Sequence, residues 1–253
     1  MPIKEVFTNP TVKQVVFQIR FPNLFYIEDK IGDFQVRIMD LFPESSLSFR
    51  RQVLLADMPP DSDPQVDLIK FKQTETQGNK IWQFKNKDIA LNVMSSSLDL
   101  SSSKHKTYNN PNSTLRFRDI ISRVLDNFFE VVNIPILQRM GLRYIDEISS
   151  PDLTLDTYLN FINSRINSKN LDLRNIQSFD MVTTLKKGEN FLNFAERIVS
   201  SGETIKSILD FDAFAQDIPV RSYLERLDEL HEIIIDDYTS IIKKPVYEMM
   251  RKK

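Results

Sequence analysis

Val15, Phe17, Ile19 and Phe21 share one parity, and Pro22 follows them. That alternation predicts a half-buried strand, ended by a residue that cannot donate to a ladder. The spacing then changes. Ile31, Phe34, Ile38 and the pair Leu41-Phe42 recur at helical intervals up to Pro43, which predicts an amphipathic helix. Residues 44–64 read as a loop, with Met58-Pro59-Pro60 and Asp63-Pro64 as its markers. Three strands are predicted next: one opened by Val66, Leu68 and Ile69, one at Ile81-Trp82-Gln83-Phe84, and one led by Ile89, Leu91 and Val93. Gly78-Asn79 and residues 86–88 supply the turns. The polar stretch 95–113 extends the third strand through Leu98 and Leu100 and then becomes loop. A long helix over 115–132 closes this half, with Ser113 or Thr114 accepting the free N–H groups at its start.

The same order then recurs. Leu142, Tyr144 and Ile148 alternate as a strand, and 155–166 reads as helix. Three strands follow at 179–185, 192–198 and 205–211, with turns at Lys187-Gly188-Glu189 and Ser201-Gly202-Glu203. A last long helix carries Tyr223, Leu227, Leu230, Ile234, Tyr238, Ile241 and Ile242, with Asp217 as its cap and Pro219 in its first turn. Pro245 stops or kinks it and leaves 246–253 as a final turn or a tail. The pattern therefore predicts an α+β fold of two pseudo-repeated strand–helix–three-strand–helix halves, 1–138 and 139–253, with antiparallel sheets and long helices in one compact unit. Two such halves would pair about a pseudo-twofold axis, and their seam would hold a ligand or partner.

Composition narrows the chemistry. With 253 residues, 18 of them Phe, the chain has enough apolar material for a core without disulfides or metals. It has no cysteine, which excludes thiol catalysis and every Cys-based zinc or iron–sulfur site. Its net charge of −2 lacks the basic excess that phosphate neutralisation demands of most nucleic-acid binders. Residues 1–10 lack a basic start followed by an apolar run, and no apolar run approaches the ~18 residues that span a bilayer. A soluble cytoplasmic protein is the expectation.

Only five glycines occur, Gly32, Gly78, Gly141, Gly188 and Gly202, too far apart for a phosphate loop, a dinucleotide fingerprint or a nucleophile elbow. A zinc site would need the two histidines, His105 and His231, to meet in space and be joined by carboxylates; the expectation is a solvated His105 and a His231 bordering the apolar stripe of its helix. Ser103 and His105 lie in one polar loop, which cannot give a catalytic triad its rigid orientation. Asp210 and Asp212 project to one face of a strand, where they would bind a hard cation or simply be solvated. Arg143 and Glu147 also share a face, and Arg143 there would grip a carboxylate or phosphate or pair within the sheet. Lys104 and Lys106, with Arg116 and Arg123 seven residues apart on the following helix, form a basic cluster suited to a nucleic-acid backbone or to water.

Five stretches together resemble a known family. They are Pro10-Thr11-Val12 with Val15-Val16-Phe17-Gln18-Ile19-Arg20-Phe21; Ile31-Gly32-Asp33-Phe34-Gln35; Gly141-Leu142-Arg143-Tyr144-Ile145; Ile208-Leu209-Asp210-Phe211-Asp212; and Leu227, Leu230-His231 and Tyr238 of the last helix. In this order they resemble a sporadically distributed family of prokaryotic proteins of about this length that carries no assigned activity. The resemblance implies no residue role. Patchy distribution is typical of mobile accessory genes, including toxin–antitoxin and phage-defence loci, and so implies a partner-dependent role. The element order is also similar to the effector-binding domains of multidrug regulators and to SOUL haem-binding proteins, where two modules flank a cleft. Duplicated ferredoxin-like halves, as in CRISPR RNA endonucleases, are the rival likeness, but their Gly-rich loop is missing here.

These readings converge on a non-enzymatic binding or regulatory protein with no cofactor. It would recognise a protein partner, itself or a small ligand at a cleft built from Phe17, Arg143, Tyr144, Phe194 and Phe211. One alternative is RNA or DNA binding through Lys104, Lys106, Arg116 and Arg123. The other is a metal-dependent hydrolase using Asp210 and Asp212.

Overall fold

Alternation of apolar and polar residues runs through nine strands, and every ladder between them is antiparallel. The computed structural model describes residues 7–50, 79–154, 156–165, 177–201 and 204–252. In chain order the elements are β1 (Val12–Arg20), α1 (Ile27–Ile38), β2 (Glu44–Arg50), β3 (Asn79–Lys85), β4 (Ile89–Met94), β5 (Ser97–Ser102) and α2 (Phe117–Val131). Then come β6 (Ile136–Ser149), α3 (Tyr158–Phe161), β7 (Ser178–Lys187), β8 (Asn190–Ser201), β9 (Thr204–Pro219), α4 (Tyr223–Ile241) and α5 (Lys244–Arg251). The strands form one sheet in the order β2-β3-β4-β5-β1-β6-β9-β8-β7.

The sheet has two unlike faces, because successive side chains of a strand point to opposite sides. On one face, Val15, Phe17 and Ile19 of β1 and Leu142, Tyr144 and Ile148 of β6 are buried, as are their counterparts on β4, β5, β8 and β9. The buried side chains form a single core beneath the helices. Helix α4 packs on β6, β8 and β9, and α1 packs on α2. The other face carries polar and small residues at the centre of the sheet, among them Gln18, Asp99, Gly141, Arg143, Asp210 and Asp212.

The expectation of two pseudo-repeated halves is overturned. There are not two sheets meeting at a seam; the nine strands form one continuous sheet, joined where β1 pairs with β6 (Phe17↔Leu142, Val15↔Tyr144). Five strands stand on the β1 side of that junction and four on the β6 side. Where the second half was to have a helix over 155–166, the described residues hold a single turn, α3. The likeness to duplicated-module proteins rests on the repeat and falls with it.

Smaller corrections have local causes. Residues 44–50, read as loop, form β2, where Leu47 and Phe49 alternate with serines. The serine-rich run after β4 turns back at Ser95-Ser96, and β5 pairs with β4 instead of extending it. Helix α2 begins at Phe117, where the Asp119 carboxylate accepts the Arg116 backbone N–H and guanidinium; Ser113 instead donates to the Leu115 carbonyl. Asp217 caps nothing. It sits at φ 53° before a short 3-10 turn, and α4 starts at Tyr223. Pro245 starts α5, where its missing N–H and fixed φ cost nothing. The strand expected at Val66 to Ile69, the proline loop before it and the Gly78 and Gly202 turns lie outside the described residues. Among the described residues no helix is long and apolar enough to cross a membrane.

Candidate functional site

Helix α4 presents Leu227, Leu230, Ile234, Tyr238 and Ile241 to the core at intervals of three and four, so that face is apolar. His231 and Ile235 flank it, and His231, Ile234, Ile235 and Tyr238 share one side of the helix. Opposite that side lie Thr11 and Val12 at the start of β1 and Tyr144 and Asp146 on β6. Between them is a cavity of about 630 Å³, closed further by Phe7, Met250 and the loop residues Thr107 to Pro111. That volume is within the range of small-molecule sites. Lys106, Arg116 and Glu232 stand among its lining residues.

A hydrogen-bonded chain crosses the base of the cavity. The Thr11 hydroxyl donates to Asp146 Oδ1 at 2.6 Å. It has a single proton, so it accepts from the Tyr238 hydroxyl at 2.7 Å. A second group lies beside it: the Tyr108 backbone N–H donates to the Tyr144 hydroxyl at 2.6 Å, and that hydroxyl is 3.2 Å from His231 Nδ1. Tyr108 ties the covering loop to α4, since its hydroxyl donates to Asp228, which also receives the Arg118 guanidinium through two hydrogen bonds.

Burial sets the protonation of these groups. Asp146 is 1% exposed, and burial pushes its carboxyl up from 3.8 to about 7, the Thr11 hydroxyl pulling the other way and Asp210 adding to the rise. Burial holds His231 down at about 4, with Asp228 opposing. The Tyr144 and Tyr238 hydroxyls are pushed up by burial and stay neutral. Burial, and then the charge of Lys13, lowers Lys106. The cavity thus offers neutral hydroxyls, a neutral imidazole and a carboxyl that gains or loses its proton near pH 7.

The residues expected at a cleft separate. Tyr144 lines the cavity. Phe17, Phe194 and Phe211 are 0% exposed in the core; Phe211 packs at a tilt against Phe194 and meets Tyr238 edge-on, with ring centroids 5.1 and 5.8 Å apart. Arg143 lies on the far face of the sheet, because neighbours on a strand point oppositely, and cannot join Tyr144 at one site. There Arg143 pairs with Asp210, and Arg139 pairs with Asp212 through bonds of 2.7 and 2.9 Å. Asp210 and Asp212 do share a face, yet each carboxylate is engaged by an arginine. Among the described residues no group of three or more histidines or carboxylates could hold a metal ion.

The basic cluster is dispersed in the same way. Lys104 pairs with Asp88, Arg123 with Asp40 and Arg116 with Asp119, while Lys106 donates to the Ser103 carbonyl. Lys106 and Arg116 are at the cavity; Lys104 and Arg123 are not among its lining residues. His105 is held by Ser102 and the Leu115 carbonyl.

Sequence reasoning missed Thr11, Asp146 and Tyr238 as a group. One signal was present: Asp146 has the parity of Leu142, Tyr144 and Ile148, a carboxylate on the apolar side of a strand. Gly141 has a role of its own. A Cβ there would meet the Arg139 guanidinium at 2.7 Å. The guanidinium is the free end of a flexible side chain and swings away, so Gly141→Ala is expected to cost only the lost Arg139–Asp212 contact, roughly 1–2 kcal/mol, the same loss expected of Arg139→Ala. The double variant should cost little more than either single one, which a urea double-mutant cycle checks; additive costs contradict the contact. Comparison with protein-family models gives no match, and comparison with curated proteins gives none.

Proposed function

We propose that this chain is a non-enzymatic binding protein that takes a small ligand in the cavity between α4 and the β1–β6 junction. The observation that carries the reading is a cavity of about 630 Å³ whose base holds a buried carboxyl, Asp146, beside the hydroxyls of Thr11 and Tyr238. Apolar walls with a few converging polar groups are the usual make-up of a ligand site. His231 is engaged with Tyr144 and stays neutral, and adds a polar, uncharged group to the recognition set. A partner-dependent role in an accessory locus is the setting that the sequence resemblance implies.

Native mass spectrometry of gently purified protein tests this. One small molecule per chain is expected on the wild type and much less on Ile235→Trp, whose bulkier side chain narrows the cavity. The same adduct on both proteins overturns the reading. So does a bare wild type whose melting temperature no member of a metabolite panel raises.

A further inference from the structure

Three carboxylates among the described residues are buried: Asp146, Glu196 and Asp237. A buried carboxylate needs donors or a cation to replace the water it has lost. Glu196 accepts from the Tyr158 and Ser164 hydroxyls and the Arg165 backbone N–H. Asp237 pairs with Arg165 and Lys187. Asp146 receives one donor, the Thr11 hydroxyl, although it is the most deeply placed of the groups around the cavity. We propose that the missing partner is the ligand, an organic cation with an amine, amidine or guanidine group on an apolar body, which pairs with Asp146. The proposal rests on the small-ligand reading above and narrows it.

The groups around Asp146 support this one by one. From β1, Thr11 already donates, and from α4 the Tyr238 hydroxyl is committed to Thr11. His231, also on α4, is held neutral, and Tyr144 of β6 takes the Tyr108 N–H. Behind the sheet, Asp210 of β9 adds negative charge. At the rim, Lys106 is bound to the Ser103 carbonyl and Arg116 to Asp119 and Asn109, while Glu232 contributes a further negative charge. No described cation forms an ion pair with Asp146. Val12, Ile234, Ile235 and Met250 suit a hydrocarbon body, and the tyrosine rings favour a nearby cation.

In the ligand-free protein a proton takes the cation's place. A bound ammonium replaces it, so each binding event below pH 7 releases up to one proton, and affinity rises up to ~10-fold per pH unit until Asp146 is ionised. Isothermal titration calorimetry with 4-phenylbutylamine, 4-phenylbutanol and 4-phenylbutyrate gives three probes of one body and different charge. The amine is expected to bind at least ~10-fold tighter than the alcohol at pH 8. At pH 6 it should bind more weakly, with a heat that depends on the buffer because protons are released. Asp146→Asn should lose the amine preference, and the pH dependence of the wild type gives the same answer without a variant.

Equal or tighter binding of the alcohol or the butyrate overturns the cation proposal; if Ile235→Trp weakens that binding, the small-ligand reading stands. Amine binding of undiminished strength in Ile235→Trp overturns both. Binding of none of the three overturns the cation proposal and leaves the ligand reading to the native mass measurement.

Discussion

Asp146→Asn is expected to be more stable than the wild type at pH 8 and to match it near pH 4. An acid that titrates at about 7 in the folded chain and 3.8 when unfolded holds its proton more tightly when folded. Its contribution is fully present below about pH 4 and is lost as pH rises through 7. At 1.36 kcal/mol per pH unit the difference is on the order of 4 kcal/mol, and the asparagine side chain, neutral throughout, does not incur it. For a chain of this size that corresponds to roughly 10 °C in melting temperature. His231 works in the opposite sense. It titrates at about 4 when folded against 6.5, so its contribution is present above pH 6.5 and lost as pH falls through 4. In the wild type the two trends oppose each other between pH 4 and 6.5. Asp146→Asn should therefore lose stability steeply on acidification, whereas His231→Gln should gain it. Urea denaturation from pH 4.5 to 8 reads both; parallel curves for wild type and Asp146→Asn would sink the account of the buried carboxyl.

Phe211→Ala is expected to cost about 3–5 kcal/mol, the usual result of emptying a buried aromatic site. Phe211 is 0% exposed and touches both Phe194 and Tyr238, so the void opens directly beneath the ring whose hydroxyl reaches Thr11. Ligand affinity should fall with stability, because Tyr238 loses the surface that positions it. Phe25→Ala is the control: Phe25 is 91% exposed, and its loss should stay within ~0.5 kcal/mol. A cost below ~1 kcal/mol for Phe211→Ala would contradict the packing described.

Patterns of local period were readable in the chain, and patterns of pairing were not. Val15, Phe17 and Ile19 announce a strand with one buried face, and the stripe from Tyr223 to Ile241 announces a helix. Both depend on residues a few positions apart. Nothing local says that Gln18 pairs with Gly141, or that β1 and β6 weld the strands into one sheet. Alternation gives the face of a strand and is silent on its neighbour. β2 escaped notice because Ser45, Ser46 and Ser48 dilute a strand whose apolar members, Leu47 and Phe49, are themselves exposed.

The candidate site was partly legible. The parity that separates Arg143 from Tyr144 is in the sequence, and so is the odd placing of Asp146 among apolar partners of the same phase. The cavity itself depends on how far α4 stands from the sheet, and no spacing of residues encodes that distance.

The most direct measurement is the titration of the Asp146 side-chain carbon by ¹³C NMR, alone and with saturating 4-phenylbutylamine. The account predicts a midpoint near 7 for the free protein and a marked fall when the amine is bound. A midpoint near 4 in the free protein, unmoved by the amine, would contradict it.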